Sequence, residues 1–265
     1  MPGSAANCAP MPGEAREELT DDAALGGRLR LLQPRRGHRF GHDGILLAAA
    51  TPARGGDRVA DLGAGVGVAG LALASRVPDA RVTLMEIDRN LAALAQENAA
   101  RNGLADRVDA VALDVAAPAA DFAAAGLSAG SCDVVVMNPP FHDEALPASP
   151  DPLRRSAHSF ADPAEWVAAG QRLLRTGGIL TLIFRAYGLP MLLRLLGEQF
   201  GAITILPVHP KPGGAAIRVL LAATKASRGP LAIMPGLVLA EADGTPSAGA
   251  EAVLRHGAAL ALIQR

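Results

Sequence analysis

The chain has 265 residues, of which 50% are hydrophobic and 3% aromatic, and its formal net charge at pH 7 is −1. This length suffices for one large domain with a complete core, and the charge balance argues against a protein that binds every polyanion, so any contact with nucleic acid must come from a local patch. No apolar run approaches the roughly 18 residues of a membrane span, residues 1–12 lack a secretory signal, and Cys8 and Cys132 suggest no disulfide framework, so we expect a cytoplasmic protein that does not contact a membrane.

The segment before residue 58 predicts a tail followed by a short extension. Residues 1–22 begin with a run rich in Ala, Pro and Gly, and we expect a disordered tail there. The extension, residues 23–57, predicts an edge strand over 25–32 and then an apolar helix that Asp43 caps.

Strands and helices alternate from residue 58 to residue 228, a pattern that predicts a parallel, doubly wound α/β sheet. The predicted strands are apolar runs over 58–62, 81–87, 108–113, 132–137, 179–184, 203–208 and 217–224. The long, polar, proline-rich loop 142–161 is typical of a lid or a binding loop. Residues 229–265 predict a small appendage, with a strand pair around 231–241 and a helix over 248–256.

The fourth predicted strand ends in a rigid corner, Asn138-Pro139-Pro140-Phe141. Its two prolines forbid further ladder pairing, so Asn138 and Phe141 are held at the carboxyl end of a strand, where open α/β sheets bind ligands. The Asn138 side-chain oxygen and the Pro139 carbonyl can each accept one N–H of a planar amino group, while Phe141 can stack on its plane. Taken alone, the same segment also fits a proline-stiffened surface turn.

A glycine loop, Gly63-Ala64-Gly65-Val66-Gly67, follows the first predicted strand and opens a helix. Its backbone N–H groups can approach a ligand, and its spacing also fits a dinucleotide fingerprint with Glu86 as the ribose-binding acid, so the glycines alone leave NAD open. Asp61, two residues before Gly63, favours a cationic ligand over a pyrophosphate. The first four predicted strands end in Asp61, Glu86, Asp114 and Asn138, so three acids and one amide form a polar rim.

Together these motifs resemble the class I S-adenosylmethionine-dependent methyltransferases over roughly residues 38–225. The Asn-Pro-Pro-aromatic corner is similar to that of amino-group methyltransferases, and segments 40–47 and 218–221 resemble the tRNA(Val) adenine-N6 methyltransferase family. The resemblance implies a Rossmann-like, seven-stranded sheet over 58–228 that is mostly parallel with its last strand antiparallel. It also implies S-adenosyl-L-methionine as the cofactor and an RNA, foremost a tRNA, as the substrate.

The resemblance further implies a role for each site residue. The methionine part of the cofactor would lie on the loop glycines, its ribose on Glu86 and its adenine on Asp114 and Val115. The substrate amine would be oriented by Asn138 and Pro139. The loop glycines are Gly63, Gly65 and Gly67, and Phe141 would stack on the substrate base.

Arginines are expected to contact the RNA because the chain has few lysines. One basic run precedes the first core strand and a second lies on the loop after the corner; the candidates are Arg35, Arg36, Arg39, Arg154 and Arg155. No histidine has metal-ligand spacing, and we expect no metal. Three alternatives stay open: a release-factor type protein glutamine N5-methyltransferase, an rRNA guanine-N2 methyltransferase, and a non-catalytic RNA-binding or cofactor-sensing module.

Overall fold

The computed structural model describes residues 18–36, 39–140 and 162–263. It opens with an antiparallel hairpin of β1 (Leu19–Ala24) and β2 (Leu29–Pro34). The edge strand expected over 25–32 therefore begins only at Leu29, because a single 3₁₀ turn over Leu25–Gly27 reverses the chain before it. β1 itself begins inside the segment where a tail is expected.

A nine-stranded sheet forms the centre of the molecule. Its strands are β3 (Arg58–Leu62), β4 (Arg81–Glu86), β5 (Val108–Ala112), β6 (Cys132–Met137), β7 (Leu174–Arg185), β8 (Phe200–His209), β9 (Arg218–Lys225), β10 (Ala232–Ile233) and β11 (Leu237–Val238). Their order is β10-β8-β9-β7-β6-β3-β4-β5, with β11 also on β8. β9 runs antiparallel to both its neighbours, while the remaining pairs are parallel. The mostly parallel α/β sheet with an antiparallel last core strand is thus confirmed.

Two short strands raise the strand number above the expected seven. β10 and β11 each pair in parallel with β8, so the expected strand pair around residues 231–241 does not form. The two segments run along β8 one after the other because each finds free backbone groups on that outer strand.

Helices cover both faces of the sheet. They are α1 (His42–Ala50), α2 (Val68–Arg76), α3 (Arg89–Arg101), α4 (Ala119–Ala124), α5 (Pro163–Leu173), α6 (Leu189–Leu196) and α7 (Ala248–Leu254). Buried side chains form two clusters, one including residues of α1, α2 and α3, the other residues of α4, α5 and α6. This arrangement is the doubly wound fold predicted from the alternating pattern. Within the described ranges no helix is long and apolar enough to cross a membrane.

Side-chain caps explain where two of the helices begin. The Asp88 carboxylate accepts hydrogen bonds from Asn90 N (2.7 Å) and Leu91 N (3.3 Å) at the start of α3. Asp162 likewise accepts from Ala164 N (2.9 Å) at the start of α5. These bonds satisfy N–H groups that have no partner inside the helix.

The expected cap of α1 is wrong. Gly41 is the N-cap residue and makes no side-chain bond, while Asp43 lies inside the first turn. The Asp43 carboxylate instead pairs with Arg218 Nε at 2.9 Å, a contact between residues 175 positions apart. A long-range ion pair therefore takes the side chain that local sequence reasoning assigns to a cap.

The strand order places a crevice above β3. From β3 the chain crosses over to β4 on one side, and β6 pairs with β3 on the other. The loops that follow these parallel strands leave the same edge of the sheet in opposite directions, so an opening forms between them.

Candidate functional site

A cavity of about 210 Å³ lies at this opening. Five predicted site residues border it, namely Arg39, Asp61, Gly63, Gly65 and Asn138. The glycine loop after β3 and the corner after β6 therefore share one crevice, as a reaction between ligands bound at the two places requires. Gly67, Glu86, Asp114, Val115 and Pro139 do not border it directly.

All three loop glycines have a positive φ, but the surroundings that a side chain would meet differ from one to the next. Gly63, Gly65 and Gly67 have φ of +68°, +57° and +93°. A Cβ on Gly63 would lie 2.3 Å from Trp166 Cη2, and one on Gly67 would lie 2.9 Å from Leu84 Cδ1. A Cβ on Gly65 would meet no described residue within 4 Å. Of the three glycines, Gly65 therefore leaves space above the loop in the part of the chain that the structure describes, while the other two allow close packing beneath it.

Gly63→Ala should destabilise the fold more than Gly65→Ala. Both variants place a Cβ at positive φ, which costs about 1–2 kcal/mol. Only the first also forces the methyl into the Trp166 ring, and overpacking adds about 1–3 kcal/mol. Denaturant unfolding of the two variants measures the difference, and equal losses of unfolding free energy would contradict the packing of Trp166 on the loop.

Glu86 holds the glycine loop in place. Its buried carboxylate accepts from Gly65 N at 2.8 Å and from Asp88 N at 3.0 Å. Each oxygen keeps a further lone pair for a ligand hydroxyl. Ile87, the next residue, is 61% exposed. No sequence motif marks this exposed apolar side chain on the loop after β4.

Asp61 is a buried acid on the cavity wall. It is 2% exposed, and its carboxylate accepts from Gly70 N at 2.8 Å. Burial raises the pKa of Asp61 to about 7; the Gly70 bond opposes this shift, and the nearby charge of Glu86 adds to it. A cationic ligand group would offset the burial and restore the ionised form.

The affinity for a cationic cofactor should therefore depend on pH through Asp61. Below pH 7 the carboxyl of the unliganded protein is mostly protonated, so binding a cation must expel that proton. We expect the affinity for S-adenosyl-L-methionine to rise by up to about tenfold per pH unit between pH 5 and 7 and then to level off. Calorimetric titration across this range measures it, with Asp61→Asn as the variant whose affinity should be weak and flat.

The corner after β6 presents a buried acceptor. Asn138 Oδ1 has no hydrogen-bond partner within the ranges that the structure describes, and Pro139 is buried beside it. A buried acceptor left unpaired costs about 1–3 kcal/mol, which a ligand N–H at that point would recover. Phe141, the proposed stacking residue, falls outside the described residues.

Asp114 and Val115 lie after β5, at some remove from the cavity lining. Asp114 accepts from Ala116 N at 2.9 Å through its side chain, an Asx turn and not the N-cap of α4, which is Pro118. The Val115 side chain is buried in the core. Their proposed contacts with adenine remain a prediction.

A wall of the cavity comes from the segment before α1. Arg39, Phe40, Gly41, Asp43 and Gly44 border it. Of these five residues, the sequence indicated only Arg39 as part of a site; residues 40–47 carried only the family resemblance. The ion pair of Asp43 with Arg218 fastens this segment to β9.

The predicted RNA-binding arginines divide into three groups. Arg39 is engaged within the molecule, pairing with Asp22 at 2.8 Å. Arg35 and Arg36 are exposed. Arg154 and Arg155 fall outside the described residues. In the described ranges no group of three His, Cys, Asp or Glu side chains could hold a metal ion.

Comparison with known proteins agrees with this geometry. A family model described as methyltransferase small domain matches residues 42–209. The chain is 33% identical over 190 residues to the tRNA1(Val) (adenine(37)-N6)-methyltransferase of Bacteroides thetaiotaomicron, covering 70% of this chain and 76% of the relative. It is also 33% identical over 214 residues to the enzyme of that name from Aeromonas hydrophila subsp. hydrophila, covering 79% of this chain and 85% of the relative.

A solved structure shares the architecture over most of its length. A predicted O-methyltransferase from Agrobacterium tumefaciens is 28% identical and superposes with a TM-score of 0.69, covering 82% of this chain and 98% of that protein. The fold, the cavity and the sequence relatives therefore point to the same group of proteins.

Proposed function

The chain belongs to the methyltransferase small domain family, and on that premise we propose that it transfers a methyl group from S-adenosyl-L-methionine to the N6 amine of an adenine in tRNA. One observation carries the proposal. Asn138 Oδ1, a buried acceptor with no hydrogen-bond partner among the described residues, borders the same cavity as Gly65. An acceptor for an amine thus lies beside a loop that leaves room above Gly65 for a second ligand.

The residues of the cavity fit S-adenosyl-L-methionine. This cofactor, when bound, supplies an electrophilic methyl group on a sulfonium. Asp61 would balance its positive charge, and Glu86 would accept from its ribose hydroxyls while keeping the loop in shape. Gly63, Gly65 and Gly67 would hold its methionine part, and Asp114 with Val115 its adenine.

The substrate amine is oriented by the corner. A target adenine must leave its stack to reach a buried cavity, as bases do in enzymes that modify them. Asn138 Oδ1 and the Pro139 carbonyl would each accept one N6–H, which points the nitrogen lone pair away from the corner and into the cavity. Phe141 would stack on the base. No strong general base is needed, because the amine loses its proton after it has attacked.

Binding of tRNA requires cations near the cavity mouth. Arg35 and Arg36 follow β2 and are exposed, in the segment that leads to the cavity wall. Arg39 borders the cavity but is paired with Asp22, so its role in RNA binding would require that pair to open. We assign RNA contacts to these arginines, and to Arg154 and Arg155 on the loop after the corner.

A labelling experiment tests the substrate class. Purified protein, S-adenosyl-L-methionine with a labelled methyl group, and an extract of cells lacking the gene are combined, and the label is partitioned between RNA and protein. We expect the label in the RNA fraction, with Asn138→Ala as the control whose initial rate of labelling is lower by roughly 10²- to 10³-fold. Label in protein would instead support the glutamine methyltransferase reading.

A further inference from the structure

An exposed aromatic side chain lies on the turn that follows β7. Tyr187 is the single tyrosine of the chain and is 65% exposed. It belongs to the 3₁₀ turn Ala186–Gly188, between β7 and α6. Aromatic residues make up only 3% of the chain, and this one is exposed and not packed in the core.

The pairing of β7 places Tyr187 at the rim of the proposed active site. β7 runs parallel to β6, with Met137 opposite Leu182. Counting on from this pair, Asn138 is level with Ile183 and Pro140 with Arg185. Tyr187 follows two residues later, so it stands beyond the carboxyl end of the sheet, on the strand next to the Asn138 corner.

The turn that carries this ring packs closely against the core. A Cβ on Gly188 would lie 2.4 Å from Phe184 Cε1, so the turn packs closely on a buried ring. The Arg185 guanidinium lies 5.9 Å from the centroid of the Tyr187 ring. A platform whose backbone is already ordered loses little conformational entropy when a flat ligand stacks on it.

Positive charge accompanies the ring. Arg185 and Arg218 stand directly opposite each other where β7 pairs with β9. Arg218 also pairs with Asp43 at 2.9 Å, and Asp43 borders the cavity. The two arginines thus connect the platform to the cavity wall.

We propose that Tyr187 is a stacking platform for a base of the RNA that flanks the target adenine, with Arg185 and Arg218 beside the phosphates on either side. Every nucleobase offers a flat face, and cationic side chains beside an aromatic ring are the common surface for unpaired nucleotides. This inference rests on the proposed function, since it takes an RNA as the substrate.

The test compares Tyr187→Ala with Tyr187→Phe, using unmodified tRNA at saturating S-adenosyl-L-methionine. Loss of one stacked base should raise the KM for tRNA about 5- to 100-fold in Tyr187→Ala. Tyr187→Phe keeps the ring and should stay near the unmodified protein. Ile233→Ala is the matched control, because Ile233 is 67% exposed on β10 and away from β6.

Two further readouts separate stacking from a structural role. The affinity for S-adenosyl-L-methionine and the unfolding midpoint should not change in Tyr187→Ala, and neither should the salt dependence of tRNA binding. Arg185→Gln should reduce the salt slope by about 1, as expected for one lost phosphate contact. An unaltered KM for tRNA in Tyr187→Ala, or an equal loss of cofactor affinity, would overturn the platform.

Methylation of tRNA by the unmodified protein tests the proposed function separately from the platform. If it methylates adenine in tRNA while Tyr187→Ala does so equally well, the platform alone is wrong. If it methylates no RNA, the proposed function and the platform are both wrong.

Discussion

Replacing Asn138 with alanine is expected to slow methyl transfer by roughly 10²- to 10³-fold, the effect of losing one well-placed polar group in an active site. The variant removes the buried Oδ1 that we assign to an N6–H of the substrate. Single-turnover methylation of tRNA at saturating cofactor measures the rate of the transfer itself. The affinity for S-adenosyl-L-methionine should stay close to that of the unmodified protein.

Stability measurements make this result specific. Asn138 Oδ1 is buried with no partner among the described residues, and such an acceptor destabilises the fold. Asn138→Ala should therefore unfold at the same temperature as the unmodified protein or above it. Asn138→Asp retains an acceptor oxygen and should lose less activity than the alanine variant. An unchanged rate in Asn138→Ala, with cofactor affinity intact, would remove Asn138 from the mechanism.

Replacing Glu86 with alanine is expected to lower the affinity for S-adenosyl-L-methionine by roughly 10²- to 10³-fold. A hydrogen bond to a charged group contributes about 1.5–3 kcal/mol, and the proposed ribose contact has two hydroxyls. The variant also leaves the N–H groups of Gly65 and Asp88 without their present acceptor. Calorimetric titration with the cofactor measures the loss.

Glu86→Gln separates the two contributions. The amide oxygen can still accept from one backbone N–H, so the loop should stay closer to its native form, while the charge-assisted ribose bonds weaken. We expect an affinity between those of the alanine variant and the unmodified protein. If Glu86→Ala bound the cofactor with unaltered affinity, Glu86 would have a structural role only.

The parts of the site that follow from local pattern were predictable. A glycine loop after one strand and an Asn-Pro-Pro corner after another place both motifs at strand ends, and in a parallel sheet those ends share an edge. The cavity that both Gly65 and Asn138 border follows from that rule. The cap at Asp88 was likewise local, since a cap needs only the next three residues.

The contacts that sequence reasoning missed connect distant residues. Nothing near Gly63 indicates that its α-carbon faces Trp166, which lies on a helix after the long loop. Asp43 fits the pattern of a cap, but its partner is Arg218 on β9. Such partners are far apart in the sequence and meet only in the folded chain, so a local sequence pattern does not indicate them.

The two shortest strands were not predicted from the sequence for a different reason. β10 and β11 are two residues long each, so neither shows an alternation that could be read. They exist because β8 offers backbone groups along its outer side, a property of the assembled sheet and not of their own residues. The extra strands enlarge the sheet without altering the edge where the site lies.

Nucleoside analysis of tRNA after methylation tests directly whether the protein methylates N6 of adenine. Bulk tRNA from a strain that lacks the gene is incubated with the purified protein and S-adenosyl-L-methionine, digested to nucleosides and resolved by mass spectrometry. N6-methyladenosine should appear with the unmodified protein, and with Asn138→Ala it should form roughly 10²- to 10³-fold more slowly. N2-methylguanosine in its place, or no methylated nucleoside at all, would contradict the assignment of the Asn138 corner to an adenine amine.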